Sequence, residues 1–338
     1  MRGSGSRGAP ALAALVWLAA AGPGAAVVLG ADGADAGGVA VNGVAVGGAA
    51  VDRWAVGGVA VDSMAVVGAA VDGPAVDRMA VGGVAVDSAA VDREAVAAGP
   101  GRPGLLSTLG GDAQAAGRTF SLFVRREVWP RSAGQLVYLG SLAGVSAILE
   151  HDKEALRRDV LRSSFYRHSH WTQIGGTLGL TRVGYGAAGA LYLGGLAIGE
   201  PEVRRTGMLM AESLLVAQGV AGAVNFAVSE QRPQAGGAIR FFHSGGSGVS
   251  IHMTNTTALA RVLDHRFARF APDDSRGRRL AKILGKVLIY SIPTITGWQR
   301  LRADQHYLWN VVLGAGLSAY VTDALLRSYD QVAAPPAR

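Results

Sequence analysis

Between residues 134 and 327 the chain alternates long apolar runs with short polar breaks. Six segments, at about 134–150, 172–198, 205–228, 250–266, 278–297 and 307–327, have helix length and lack the strict alternation of a half-buried strand. The pattern predicts an all-α body, a six-helix antiparallel bundle. Successive helices of such a bundle run in opposite directions. The end of the third, the start of the fourth and the link between the fifth and sixth therefore meet at one end.

Upstream the pattern changes twice. Arg2 and Arg7 precede an apolar stretch from Ala9 to Leu29, broken at Gly22-Pro23-Gly24, so 1–30 reads as a secretory signal or as an uncleaved anchor. From Val39 to Val96 alanine and valine recur every five residues, with Gly, Asp, Arg or Ser between them. That period matches neither the helix nor the strand. A pentapeptide β-helix would need a large apolar residue facing inward in each repeat, yet the positions two after each valine include Gly43, Gly48, Arg53 and Gly58. Residues 31–104 therefore read as a low-complexity, disordered linker, closed by Gly99-Pro-Gly-Arg-Pro-Gly104. A connecting segment follows at 105–133, then the helical domain at 134–327 and a tail at 328–338.

Composition narrows the field. Of 338 residues only 17% are charged, and the net charge of +7 is carried almost wholly by arginine, the lysines being Lys153, Lys282 and Lys286. No basic stripe is interleaved with aromatics, which argues against nucleic acid as a partner. Cysteine is absent, so disulfides and zinc–thiolate sites are excluded. His168 and His170 beside Trp171 have no carboxylate at helix spacing and read as loop residues rather than metal ligands. No metal or other cofactor is called for. Glu212, inside an apolar run, is expected to pair with Arg182. A helix needs roughly 20 apolar residues to span a bilayer, and the first three fall short or are interrupted, the first with about 14, the second by Arg182 and the third by Glu212 and Gln218. Residues 264–286 hold seven Arg and Lys against three Asp, as a cytoplasmic loop would. A cleaved signal followed by six crossings would put the motif end inside and contradict that asymmetry. The chain thus reads as a bacterial-type envelope protein with an extracytoplasmic site, either membrane-embedded or periplasmic.

Three short segments carry the candidate chemistry. They are Asn225-Phe-Ala-Val-Ser-Glu-Gln-Arg232-Pro233, Val249-Ser250-Ile251-His252, and Gln299-Arg300 followed by His306 and Asn310. Arginine presents a planar fork of donors that suits phosphate oxygens, and histidine can attack phosphorus or move a proton. A residue four positions after a histidine shares its helix face and can hold the second ring nitrogen. In order and spacing the three resemble the signature of the type-2 phosphatidic acid phosphatase and vanadium haloperoxidase superfamily. That signature reads Lys-x6-Arg-Pro, Pro-Ser-Gly-His and Ser-Arg-x5-His-x3-Asp. The glycine-rich stretch Arg240 to Gly248 resembles the loop leading into the second motif, and the likeness covers roughly residues 133–327.

The resemblance implies a helical bundle with the motifs at one end, His306 as nucleophile and His252 as proton donor to the leaving oxygen. Arg232 and Arg300 would clamp the phosphate, Ser250 would donate a hydroxyl to it, and Asn225, Ile251 and Asn310 occupy the remaining motif positions. No metal is implied; the partner would be a phosphate-bearing small molecule or lipid at a membrane. The departures are chemical. Asn225 replaces a lysine, Val249 and Ile251 a proline and a glycine, Gln299 a serine and Asn310 an aspartate. An Asp→Asn change in the equivalent role of a serine protease lowers the rate about 10⁴-fold. A phosphatase and a pseudoenzyme that binds phosphate-bearing ligands or serves as an envelope scaffold both remain open, with a vanadate-dependent haloperoxidase as a third reading.

Overall fold

The structure is a computed structural model that describes residues 104–163 and 170–333, the side chains of 170–172 excepted, together with the backbone of Ala25–Val27 and Val44–Val46. These last two form a short antiparallel pair, β1 and β2. The rest of the signal-like start and of the pentad repeat, His168 and the final five residues lie outside the described residues. The chain divides into two units. The smaller comprises Leu29–Gly43 and Val51–Gln114, of which 104–114 are described; the larger holds the helical body.

Nine α-helices are present among the described residues: α1 Leu105–Leu122, α2 Ala133–His151, α3 Lys153–Arg162, α4 His170–Leu178, α5 Thr181–Ile198, α6 Pro201–Ala227, α7 Ile251–Leu263, α8 Arg276–Arg302 and α9 Leu308–Ala333. The body is all-α, as its periodicity predicts. Local chemistry sets the ends. Ser132 caps α2 in a reciprocal box with Gln135, whose amide N–H donates to Ser132 Oγ at 3.2 Å. Pro201 opens α6 at the position where its missing N–H loses nothing. The segment expected as one helix at 172–198 breaks at Leu180, whose backbone is extended. Gly175, Gly176 and Gly179 weaken the helix there, and tertiary bonds reward the break. Thr296 Oγ1 donates to the Gly175 carbonyl at 3.1 Å and Asn255 Nδ2 to that of Gly179 at 2.9 Å.

α9 is the central helix, buried along most of its length and packed against α2, α6 and α7. Leu308, Val311, Val312 and Ala315 share one core with Leu142, Met253, Tyr290 and Trp298. Away from the motifs the helices are tied by charge. Arg261 makes a two-bond fork to Asp323 at 2.7 and 2.8 Å, and Tyr290 donates to Asp264 at 2.9 Å. Glu212 departs from expectation. Both of its carboxylate oxygens are buried with no hydrogen-bond partner among the described residues, and Arg182 is exposed.

Four helices, α2, α6, α8 and α9, are long and apolar enough to cross a membrane. α2 exposes Leu136, Val137 and Ile148, α6 exposes Leu215 and Phe226, and α8 exposes Leu280, Leu284 and Leu288. Contiguous outward apolar surface of this kind suits a bilayer rather than water, and marks a membrane protein.

Candidate functional site

The three motif segments meet at one end of the body. Arg232 follows a three-residue strand, β3 Val228–Glu230, which pairs antiparallel with β4 Ile239–Phe241. No strand was expected here; three residues are too few to show a period. Arg232 Nη1 donates to Gln305 Oε1, joining the first segment to the third. Ser250 joins the second to the third, its N–H donating to the Asn310 carbonyl at 3.2 Å. Arg300 lies in the last turn of α8, and His306 lies in the tight loop before α9. That loop turns at Asp304, which has φ +55, a conformation that aspartate tolerates better than most residues. Arg157 holds Asp304 from α3 with two bonds of 2.7 Å.

His306 is 7% exposed and its Nδ1 has no hydrogen-bond partner. Burial, then the charges of Arg300 and Arg232, push its pKa down to about 3, against a weaker opposing pull from the Ser247 backbone. His252, half-buried on the first turn of α7, is pushed down to about 4 by burial and the same two arginines. Both rings are thus neutral in the free protein. Arg300 Nε is buried without a partner. Among the described residues no carboxylate forms an ion pair with Arg232, Arg300, His252 or His306. Two fixed positive charges and two imidazoles that repel further charge face one another beside the start of α7, whose first N–H groups have no intrahelical partners. Such a cluster suits an anion.

The remaining motif residues hold the frame. The Asn225 amide is spent on the Val249 peptide, Oδ1 accepting from its N–H and Nδ2 donating to its carbonyl at 3.2 Å. It binds the first segment to the second instead of supplying a phosphate donor. Ser250 is the N-cap of α7, and its Oγ accepts from the Met253 N–H at 3.5 Å. Ile251 begins that helix with ordinary backbone; Phe242 and Asp304 are the non-glycine residues at positive φ among those described. Asn310 does not orient the His306 ring. Its Oδ1 accepts from the Tyr307 N–H at 2.8 Å, and its Nδ2 donates to Glu230 Oε2 at 3.0 Å and to the Gly248 carbonyl at 2.8 Å.

Two residues that the motif pattern did not single out complete this frame. Glu230, 1% exposed, accepts from Lys153 Nζ at 2.8 Å, and Lys153 also donates to the Gly237 carbonyl at 3.0 Å. A lysine does reach the motif end of the body, then, but from α3, and it is matched to a carboxylate. Burial pushes the Glu230 carboxyl up, while Lys153 and Asn310 pull it down. Gly237, at φ +63, packs on the Tyr307 ring so closely that an added Cβ would lie 2.1 Å from Oη. The usable signals were the rarity of lysine and the place of Glu230 inside the first segment. Gly179 matters too, since an added Cβ would come within 2.6 Å of His252. Among the described residues no three His, Asp or Glu side chains gather as metal ligands.

No protein-family model, curated protein or solved structure matches this chain.

Proposed function

We propose that this protein is a membrane phosphatase of the type-2 phosphatidic acid phosphatase and haloperoxidase kind, acting on a lipid phosphate or another phosphomonoester or pyrophosphate. One observation carries the reading. Arg232, Arg300, His252 and His306 come from three separate segments and converge, with no carboxylate among the described residues paired to any of them. Arg232 and Arg300 would hold the phosphate oxygens. A ring nitrogen of neutral His306 attacks phosphorus, the bond to the leaving oxygen breaks, and that oxygen takes a proton from His252. Water then attacks the phosphohistidine, gives its proton to His252, and releases phosphate and free His306. Before the first step His252 must carry a proton. A bound dianion offsets the two arginine charges and raises the pKa of His252 back toward its ordinary value. In this reading α2 and α5 to α9 make up a six-helix antiparallel core, with the site outside the cytoplasm and the start of the chain serving as the export signal.

A specific observation favours a second reading, retention of binding without turnover. The His306 ring is held by no carboxylate, and Asn310 is engaged elsewhere. The deciding experiment is phosphate release by the full chain in detergent from phosphatidic acid, an isoprenyl pyrophosphate and a chromogenic phosphomonoester. Turnover that disappears in His306→Ala supports the enzyme. Folded protein that binds inorganic phosphate with no turnover on any of the three overturns it in favour of the binder.

A further inference from the structure

The β3–β4 hairpin carries a feature that phosphate chemistry does not use. Phe241 and Phe242 at its end are 69% and 73% exposed, and Phe226 on the last turn of α6 is 54% exposed. Phe226 and Phe242 meet edge to face, with ring centroids 6.1 Å apart. Phe242 has φ +54, a conformation disfavoured for a bulky residue. Strained backbone and three outward rings are unfavourable in water, and hairpin bonding fixes both. Phe242 N–H donates to the Ala227 carbonyl at 3.3 Å, and Phe241 pairs with Val228 in the ladder.

Two arguments identify what covers these rings. The first is continuity. Leu215 and Phe226 are eleven residues apart, about three helical turns, so they share one face of α6. That face belongs to a helix of spanning length, and Phe226 lies at its end. The exposed positions between Leu215 and Phe226 are Gly219, Gly222 and Ala223, none with a polar side chain, and Phe226 passes the face on to Phe242 through their ring contact. The second is charge. Arg240 and His243 flank the two phenylalanines and are both exposed, while Arg232 begins the turn between the strands. Aromatic side chains at the end of a spanning helix, bordered by arginine, match the headgroup boundary of a bilayer, with the rings among the first acyl carbons and the guanidinium at lipid phosphates.

We propose that this hairpin is an interfacial membrane anchor, with Phe226, Phe241 and Phe242 seated at the headgroup–acyl boundary of the leaflet around α6. Arg232, exposed at the turn between the strands, then lies in the headgroup layer rather than in bulk water. The proposal rests on α6 crossing the membrane and does not depend on whether phosphate is hydrolysed.

The chain has no cysteine, so a single introduced one can be labelled uniquely. Full-length Phe242→Cys, carrying a nitroxide and reconstituted in phosphatidylcholine–phosphatidylglycerol vesicles, is read by collision with oxygen and with a water-soluble nickel chelate. Leu288→Cys on the outward face of α8 is the lipid reference, and Glu200→Cys, exposed at the other end of α6, is the aqueous reference. The expected result for Phe242→Cys is several-fold more collision with oxygen than with nickel, giving a depth between the two references. Nickel collision equal to that of Glu200→Cys overturns the anchor. So does a label shielded from both colliders, which would mean that protein covers the rings. Water-like behaviour of Leu288→Cys would instead overturn the membrane reading itself. Phe241→Cys reads the same layer if Phe242→Cys does not reconstitute.

Discussion

A carboxylate at position 310 would stand against Glu230. Asn310 Nδ2 donates both to Glu230 Oε2 at 3.0 Å and to the Gly248 carbonyl at 2.8 Å, so an aspartate would replace a shared donor by an anion facing two acceptors. At an effective dielectric near 20, two charges about 4 Å apart repel by roughly 4 kcal/mol. Asn310→Asp is therefore expected to lower the unfolding free energy by about 2–4 kcal/mol at neutral pH, read by denaturant titration. Adding Glu230→Gln should recover most of that loss. Restoring the motif carboxylate is a fair test of lost catalysis only in the double variant. That residue 310 is an amide is legible in the sequence, but the reason is not. The reason lies in a lysine from α3 and a glutamate from β3 that no spacing rule brings together. The histidines make a second residue-level prediction. Folded His306 has a pKa of about 3 against 6.5 in the unfolded chain. Between those values the unfolded state binds more protons, so stability is full above pH 6.5 and falls as pH drops. At pH 5 the loss from His306 alone is roughly 2 kcal/mol. His252, displaced the same way, adds to it. Thermal melts at pH 7 and pH 5 check this. Added inorganic phosphate should narrow the difference, because an anion between the arginines raises both folded values; an unchanged difference would count against an anion site.

At the scale of elements, apolar periodicity placed five of its six segments on single helices, with ends off by up to six residues, because each buries a continuous face. It missed what depends on neighbours. The helix expected at 172–198 breaks at Leu180 because α4 then packs on α8 while α5 lies along α6. α3 went unread: Lys153, Glu154 and Arg157 serve specific partners, Glu230, Tyr307 and Asp304, rather than a long apolar stripe. The break has a direct bearing on the site. The end of α4 brings Gly179 against the His252 ring, leaving no room for a Cβ. Gly179→Ala should push the imidazole out of place while leaving Arg232 and Arg300 untouched. If the protein turns over substrate, kcat should fall at least about tenfold, a small shift of a reacting group being this costly, with little change in affinity for inorganic phosphate. A parallel collapse of phosphate affinity would mean that the whole end of the body had rearranged, and that Gly179 is structural.

For the whole molecule, the positions of charge and motif decide orientation. α6 and α8 both end at the site and α9 begins there, whereas α7 ends and α8 begins at the opposite pole, where Arg266, Arg269, Arg276, Arg278, Arg279, Lys282 and Lys286 are concentrated. α7 has thirteen residues, about 20 Å of rise, too short to span the roughly 30 Å of hydrocarbon alone. It is buried among α6, α8 and α9, so its polar residues, Thr254, Asn255, Thr256 and Thr257, meet protein rather than lipid. In the proposed orientation the α7–α8 connection lies in the cytoplasm, as the positive-inside rule expects, and the Arg232–Arg300 cluster on the other side. The cysteine-free background makes this measurable in intact cells with a membrane-impermeant maleimide. Ser244→Cys, exposed in the glycine-rich loop, should label at once, whereas Ser275→Cys, at the start of α8, should label only after the membrane is opened. The reverse pattern would put the cluster in the cytoplasm, where its phosphate-bearing ligand would have to be an intracellular one. Labelling of both sites without permeabilisation would show that α8 does not cross, and the outward leucines of α2 and α8 would then need a protein partner instead of lipid.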